Sequence, residues 1–305
     1  DHGAAALGVL AGFYRDGKLN PRPRVRVLRE TDGALLLDGD HGCGPAAPER
    51  AMGWCVKRAR EQCGVAVAAL RDWQLLVAGP YVRLAAEAGC VGFACTNFVP
   101  LMAPPGGRTP VLGTNPLAYG LPAGRGAPVV LDVATTVASR QKVVVAAQRG
   151  EPLPEGLVLD RGGEPLTDPR RFLEEGGLMA PLGTPHAPHK GFGLALLVDA
   201  LGGVLSGGSF AQGVAGGAPG SFLWAVDVEA FMPRAQFEAR IDALVAQVKD
   251  GERMDGVDEL LVPGERGERR LRELCERGRL PLEPASWRIL TEECAALSVP
   301  LPATA

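Results

Sequence analysis

The chain is predicted to be an α/β protein of two domains, and three observations predict it. Its 305 residues with 46% hydrophobic content are enough to bury a large core, and that length favours about two domains. The first third alternates helical and strand periodicities, the pattern of packed α and β layers. At Pro104-Pro105-Gly106-Gly107 the alternation stops, and the chain as far as about residue 237 is rich in short strands, turns and glycine.

Residues 1 to about 20 read as a helix with Leu7, Leu10 and Phe13-Tyr14 on one face, closed by Gly17 and Asn20-Pro21. Leu35-Leu36-Leu37 reads as a short strand, 48–62 as a helix and Val65-Ala66-Val67-Ala68 as a buried strand. A helix over 78–88 precedes a strand over Cys90-Val91-Gly92-Phe93-Ala94-Cys95. After the break, a second domain is expected over 106–237. Phe237, Ile241, Leu244, Val245 and Val248 then recur at helical spacing over 234–249 and begin a charged amphipathic region that ends near Leu297.

Composition excludes several classes. No apolar run reaches the roughly 18 residues that a membrane-spanning helix needs, and charged Asp1-His2 does not open a signal peptide. A net charge of -3 with scattered Lys and Arg gives no footprint for nucleic acid. The seven cysteines form no C-x-x-C pair, which reads as free thiols of a cytoplasmic protein. His186 and His189 flank Pro188 without a carboxylate to complete a ligand set, so no metal is expected. A small-molecule substrate remains.

Two polar runs are the most informative. Leu112-Gly113-Thr114-Asn115-Pro116 is followed, sixteen residues after its Pro, by Asp132-Val133-Ala134-Thr135-Thr136. Both place compact polar side chains beside Gly, Pro or Ala, where a backbone can approach a ligand. With His2-Gly3 at the start and His189-Lys190-Gly191-Phe192-Gly193 further on, the chain resembles the malate/L-lactate dehydrogenase family of the non-Rossmann type. Ureidoglycolate and sulfolactate dehydrogenases and the reductase of the cyclic imine piperideine-2-carboxylate belong to that family. The resemblance runs from residue 1 to roughly residue 300.

It implies a two-domain α/β fold with a largely antiparallel cofactor-binding domain over 106–237, and a discontinuous first domain of 1–105 plus 238–305. It implies NAD or NADP as cofactor and a homodimer with its active site near the subunit interface. By resemblance the cofactor is held by Lys190, by Asp132, Val133 and Ala134, and by a loop at Gly220, Ser221 and Phe222, with Phe98 where the family has a contacting serine. Lys190 also reads independently as a phosphate ligand, because Gly191 and Gly193 admit close approach and Leu194-Ala195-Leu196-Leu197-Val198 begins a helix whose first amides favour anions. Gly42-Cys43-Gly44-Pro45-Ala46-Ala47 imitates the G-x-G-x-x-A dinucleotide fingerprint and is read as a decoy. Its strand is short, Pro45 stiffens the loop, and no acidic residue ends a second strand about 20 residues on.

Hydride exchange with a 2-hydroxy or 2-imino acid needs a group that moves a proton and a cation that grips a carboxylate. His2 matches the family's helix-start histidine, with Asp1 in place of serine, and Ala6 replaces the substrate-gripping arginine. Gln74 stands where the family has a proton-accepting histidine, and an amide does not exchange protons near neutral pH. Asp72 is then a replacement base and Arg71 a replacement clamp, unless both are simply polar residues at a strand end. Lys142 matches the lysine of the hydroxy-acid branch, and Thr114 is expected to face the substrate. The leading reading is an NAD(P)-dependent oxidoreductase on an atypical 2-hydroxy/2-keto or imino acid. A repurposed member with a non-redox step, such as elimination, hydrolysis or condensation, is the alternative. A catalytically dead subunit is disfavoured by the retained Asp132, Lys190 and Thr114.

Overall fold

The computed structural model describes residues 7–301, so Asp1, His2 and Ala6 lie outside the described residues, as does the side chain of Gln74. α1 (Leu7–Arg15) leads into β1 (Arg26–Glu30) and β2 (Ala34–Cys43). α2 (Ala46–Arg58) continues as a π turn over Ala59–Cys63 before β3 (Val65–Gln74), and α3 (Gly79–Glu87) precedes β4 (Cys90–Thr96). β5 (Leu117–Leu121) and β6 (Val129–Val133) form a hairpin, after which α4 (Arg140–Arg149), β7 (Val158–Leu159), α5 (Pro169–Arg171) and β8 (Leu178–Met179) follow. α6 (Pro188–Asp199), β9 (Ser221–Asp227), α7 (Arg234–Lys249), α8 (Glu265–Arg277) and α9 (Pro284–Leu297) complete the described chain.

One seven-stranded sheet runs in the order β1-β2-β3-β9-β4-β5-β6. Only β2 and β3 pair in parallel; the other neighbours are antiparallel. Alternation along β3 sends Ala66, Ala68 and Leu70 to a core shared with Met52 and Val82 of the covering helices α2 and α3. Ala69 of the same strand joins Cys95, Phe222 and Val198 of α6 on the opposite face. A separate small core, with Val143, Val158, Phe172 and Met179, holds the α4 to β8 region together.

β5 and β9, which follow residue 105, pair with strands that precede it: β5 with β4, and β9 with β3 and β4. Two ion pairs join the C-terminal helices to earlier ones: Arg83 on α3 pairs with Glu268 on α8, and Arg15 on α1 meets Glu293 on α9 at 2.9 Å. β1 was not expected. All five of its residues are exposed, and its arginines mark a charged edge strand without apolar alternation. β2 extends to Cys43 rather than stopping at Leu37, through a bulge where Asp40 and His41 adopt positive φ. The short-strand argument against a dinucleotide loop at Gly42 therefore fails, yet its glycine serves packing: a Cβ there would lie 2.2 Å from the Trp73 ring.

Candidate active site

A cleft of about 560 Å³ opens where α1, the β3–α3 turn, the end of β4, the Thr114–Pro116 segment, the end of β6 and the start of α4 converge. That volume suits a small-molecule site. Its walls are largely apolar, supplied by Leu10 and Phe13 of α1, Leu76, Val77, Phe98 and Leu182, with the polar groups of Thr96, Thr114, Asp132, Thr136 and Arg140 set among them.

Hydrogen bonds from distant parts of the chain fix this shape. Asp132 Oδ2 accepts from the amides of Ala78 at 3.1 Å and Gly79 at 2.7 Å, capping the start of α3 from the end of β6. Pro80 follows at a position that needs no donor. The Thr114 carbonyl accepts from both the amide and the hydroxyl of Thr135, each at 3.0 Å. Asn115, fully buried, accepts from the Phe98 amide at 3.0 Å and donates to the Ala195 carbonyl at 2.9 Å, so one amide joins the end of β4 to α6. An unpartnered Asn in that position would cost the full desolvation of its amide.

Of the residues singled out in the sequence, Phe98, Thr114, Asp132, Val133 and Ala134 share the cleft wall. The other site candidates whose side chains are described lie outside that lining. Gly220 is wedged against the Gly202 carbonyl, where a Cβ would come within 2.0 Å, while Ser221 is wholly buried and Phe222 packs in the core beneath α6. Arg71 donates to Asp38 Oδ2 at 2.8 Å and is thereby engaged as a structural cation. Asp72 is half-buried at a positive φ in the irregular end of β3 and does not line the cleft. Lys142 is exposed in the first turn of α4, outside the lining.

Lys190 is exposed in the first turn of α6, which begins at Pro188 and not at Leu194. Gly191 and Gly193, read as preceding the helix, lie inside it. Gly191 is required by packing, since a Cβ would lie 2.3 Å from the Leu182 amide and 2.6 Å from the Thr135 carbonyl. Gly113 shows the same logic, with a Cβ 2.5 Å from the Phe98 carbonyl. Gly191 and Gly113 thus make room for the protein's own backbone, whereas a Cβ at Gly193 would meet nothing within 4 Å.

Sequence reasoning passed over Ser139, Arg140, Gln141 and Leu76, all of which line the cleft. The first three had a readable signal: Ser139 immediately precedes the run Val143-Val144-Val145-Ala146, and it acts as the N-cap, its hydroxyl accepting from the Lys142 amide at 3.3 Å. Leu76 carried none, because only its φ of 69° and its place in the β3–α3 turn distinguish it. Burial pushes the half-buried Cys43 thiol up to about 11 and the buried Cys95 thiol up to about 12, which disfavours their thiolates.

In overall shape the protein is similar to solved dehydrogenases. It superposes on malate dehydrogenase from Entamoeba histolytica with a TM-score of 0.90 at 26% identity, covering 96% of this chain and 84% of that one. The sequence profile described as malate/L-lactate dehydrogenase matches residues 1–291, and the chain belongs to that family as an enzyme of the dehydrogenase class. Malate dehydrogenase from Pyrococcus abyssi is 34% identical over 275 residues, 87% of this chain and 75% of that protein. L-sulfolactate dehydrogenase from Methanocaldococcus jannaschii is 35% identical over 276 residues, 88% of this chain and 77% of that protein.

Proposed function

We propose that the protein is an NAD(P)-dependent oxidoreductase acting on a 2-hydroxy/2-keto or imino acid. The observation that carries this reading is the convergence of Thr114, Asp132–Ala134 and the start of α4 on one apolar-walled cleft. The lining fits a nicotinamide ring: Val133, Ala134 and Phe98 supply apolar surface, and Thr114 brings a hydroxyl to the same wall, while the Thr96 hydroxyl donates to the Gly220 carbonyl at 2.9 Å. When bound, the nicotinamide supplies the hydride chemistry. The chain's own part is to bind the acid, orient it and move one proton, and His2 is the residue proposed for the proton. It lies five positions before Leu7, the first described residue of the helix that carries Leu10 and Phe13 to the cleft.

The test is oxidation of NADH and NADPH, followed separately, in the presence of 2-oxo acids. Lys190→Ala is expected to weaken cofactor binding roughly tenfold to a hundredfold by removing one charge-assisted phosphate contact. Titration curves unchanged by that substitution would move the phosphate site elsewhere. Absence of any cofactor binding by the parent protein at millimolar concentration would favour the non-redox reading.

A homodimer belongs to the same proposal. α6 covers only part of its sheet face, leaving Val67, Trp224 and Phe93 half-buried in one cross-strand row. Beside them Leu194, Leu197, Val204 and Leu205 are between 40% and 58% exposed on α6 and its continuation. A contiguous apolar surface of this kind is what a second copy covers. Light scattering is expected to give a dimer at micromolar concentration and a monomer for Leu197→Glu; a monomeric parent would refute the assignment.

A further inference from the structure

We infer that the start of α4 is the carboxylate subsite of the cleft, and that the acid it takes is a monoanion with an apolar side chain. The inference rests on the oxidoreductase reading for the identity of the reaction, but its evidence is the cleft's own charge and lining. Arg140 opens α4, half-buried at the cleft wall, and has no ion-pair partner among the described residues. First-turn amides of a helix have no acceptor within it and carry the positive end of the helix dipole.

An independent observation marks the same spot. Gln141, the next residue, is only 9% exposed, lines the cleft and leaves its side-chain nitrogen buried without a hydrogen-bond partner. A buried amide donor left without a partner is costly, and an anion seated at this helix end would relieve it. Cation, helix end and orphaned donor coincide.

Among the described residues the cleft lining offers one cation, Arg140. Arg71 is held by Asp38, and Lys142 and Lys190 are exposed outside the lining. The other charged group in the lining is Asp132, a carboxylate, which repels a second carboxylate or a sulfonate on the substrate. What the cleft offers in place of a second cation is apolar surface: Leu10, Phe13, Leu76, Val77 and Phe98. Leu76 is held there at a φ of 69°, a conformation that leucine adopts only under constraint from its surroundings.

The experiment compares 4-methyl-2-oxopentanoate with oxaloacetate on the full chain, by turnover with NADH or NADPH and by direct calorimetric titration. The branched monoanion is expected to have a KM lower than pyruvate's on the order of 50-fold, from burial of about three carbons. It is expected to exceed oxaloacetate in kcat/KM as well. Arg140→Gln should raise its KM roughly tenfold to a hundredfold with cofactor affinity unchanged, and Arg140→Lys should restore part of the loss. Leu76→Gly should narrow the gap between 4-methyl-2-oxopentanoate and pyruvate. Preference for oxaloacetate, or an Arg140→Gln effect that falls on the cofactor and spares the acid, overturns the inference while leaving the oxidoreductase reading intact. If no acid is turned over but the monoanion still binds in an Arg140-dependent way, the oxidoreductase reading fails and the subsite stands. Binding of neither acid overturns the subsite.

Discussion

His2→Ala is expected to lower turnover by roughly 10²–10⁴ with cofactor affinity intact, because loss of a proton-moving group is confined to the transition state. The family's other histidine position is Gln74 in this chain, and a carboxamide holds its protons near neutral pH. Within the described lining of the cleft the ionisable groups are Asp132 and Arg140. One oxygen of Asp132 is occupied by two backbone amides, and a guanidinium does not release a proton in this pH range. The proton therefore has to come from outside that set, and His2 is the candidate on the segment leading into α1. The rate should carry a limb in the ordinary histidine range, about 6.5, that disappears in the variant. Near-parental turnover of His2→Ala together with a large loss in Asp72→Asn would transfer the role to Asp72. Full activity in both would transfer it to Lys142 or to water.

The second large effect is structural. Asp38→Ala is expected to destabilise the fold by about 1–3 kcal/mol, below the full cost of breaking a buried pair because the arginines left behind keep solvent contact. The Asp38 side chain is 5% exposed and pairs with Arg71 at 2.8 Å and Arg26 at 3.0 Å, while its other oxygen accepts from the Asp40 amide at 2.9 Å. Burial by itself would raise this carboxyl. The hydrogen bonds from Arg71 and the Asp40 amide, together with the charges of Arg71 and Arg26, outweigh burial and hold it below the usual carboxylate range.

The sign follows from linkage. Because the folded-state value is the lower one, the stabilisation is complete above the unfolded value of about 3.9 and is lost as the pH falls through the folded value. Urea unfolding of the parent should show its midpoint dropping below about pH 4, and Asp38→Ala should lose this contribution to the drop. The variant should already be destabilised at pH 7. An unchanged midpoint at pH 7 would mean that Arg26 and Arg71 find adequate solvation without the carboxylate. Arg71→Met tests the other half of the pair and should leave any acid-binding activity in place, since Arg71 is outside the cleft lining.

Local periodicity was sufficient for the elements whose partners lie close in sequence. The helix read over 78–88 is α3 (Gly79–Glu87), and the strand read over 90–95 is β4 (Cys90–Thr96). Capping and alternation act within a few residues and so are written in the chain itself. The same reasoning misplaced the start of α6, read at Leu194 and found at Pro188. Proline is tolerated in a first turn, and close packing against Leu182 and Thr135 demands the glycine at 191.

The amino-acid sequence by itself determined the family, the α/β class and the five positions of the cleft wall that belong to the motifs at 98, 114 and 132–134. Those motifs are contiguous, and their chemistry is readable without knowing what faces them. Only the tertiary structure decided that Arg71 serves Asp38, 33 positions earlier, and that Asp132 caps a helix 53 positions earlier. It also decided that Arg140, Gln141 and Leu76 meet in one cleft. The reason is the strand order: β9 inserts between β3 and β4, and β6 closes the far edge, so residues distant in the chain become neighbours through hydrogen-bonded register. Register is a property of the whole sheet, set by which faces can be buried together, and no local pattern at position 71, 76 or 140 encodes it.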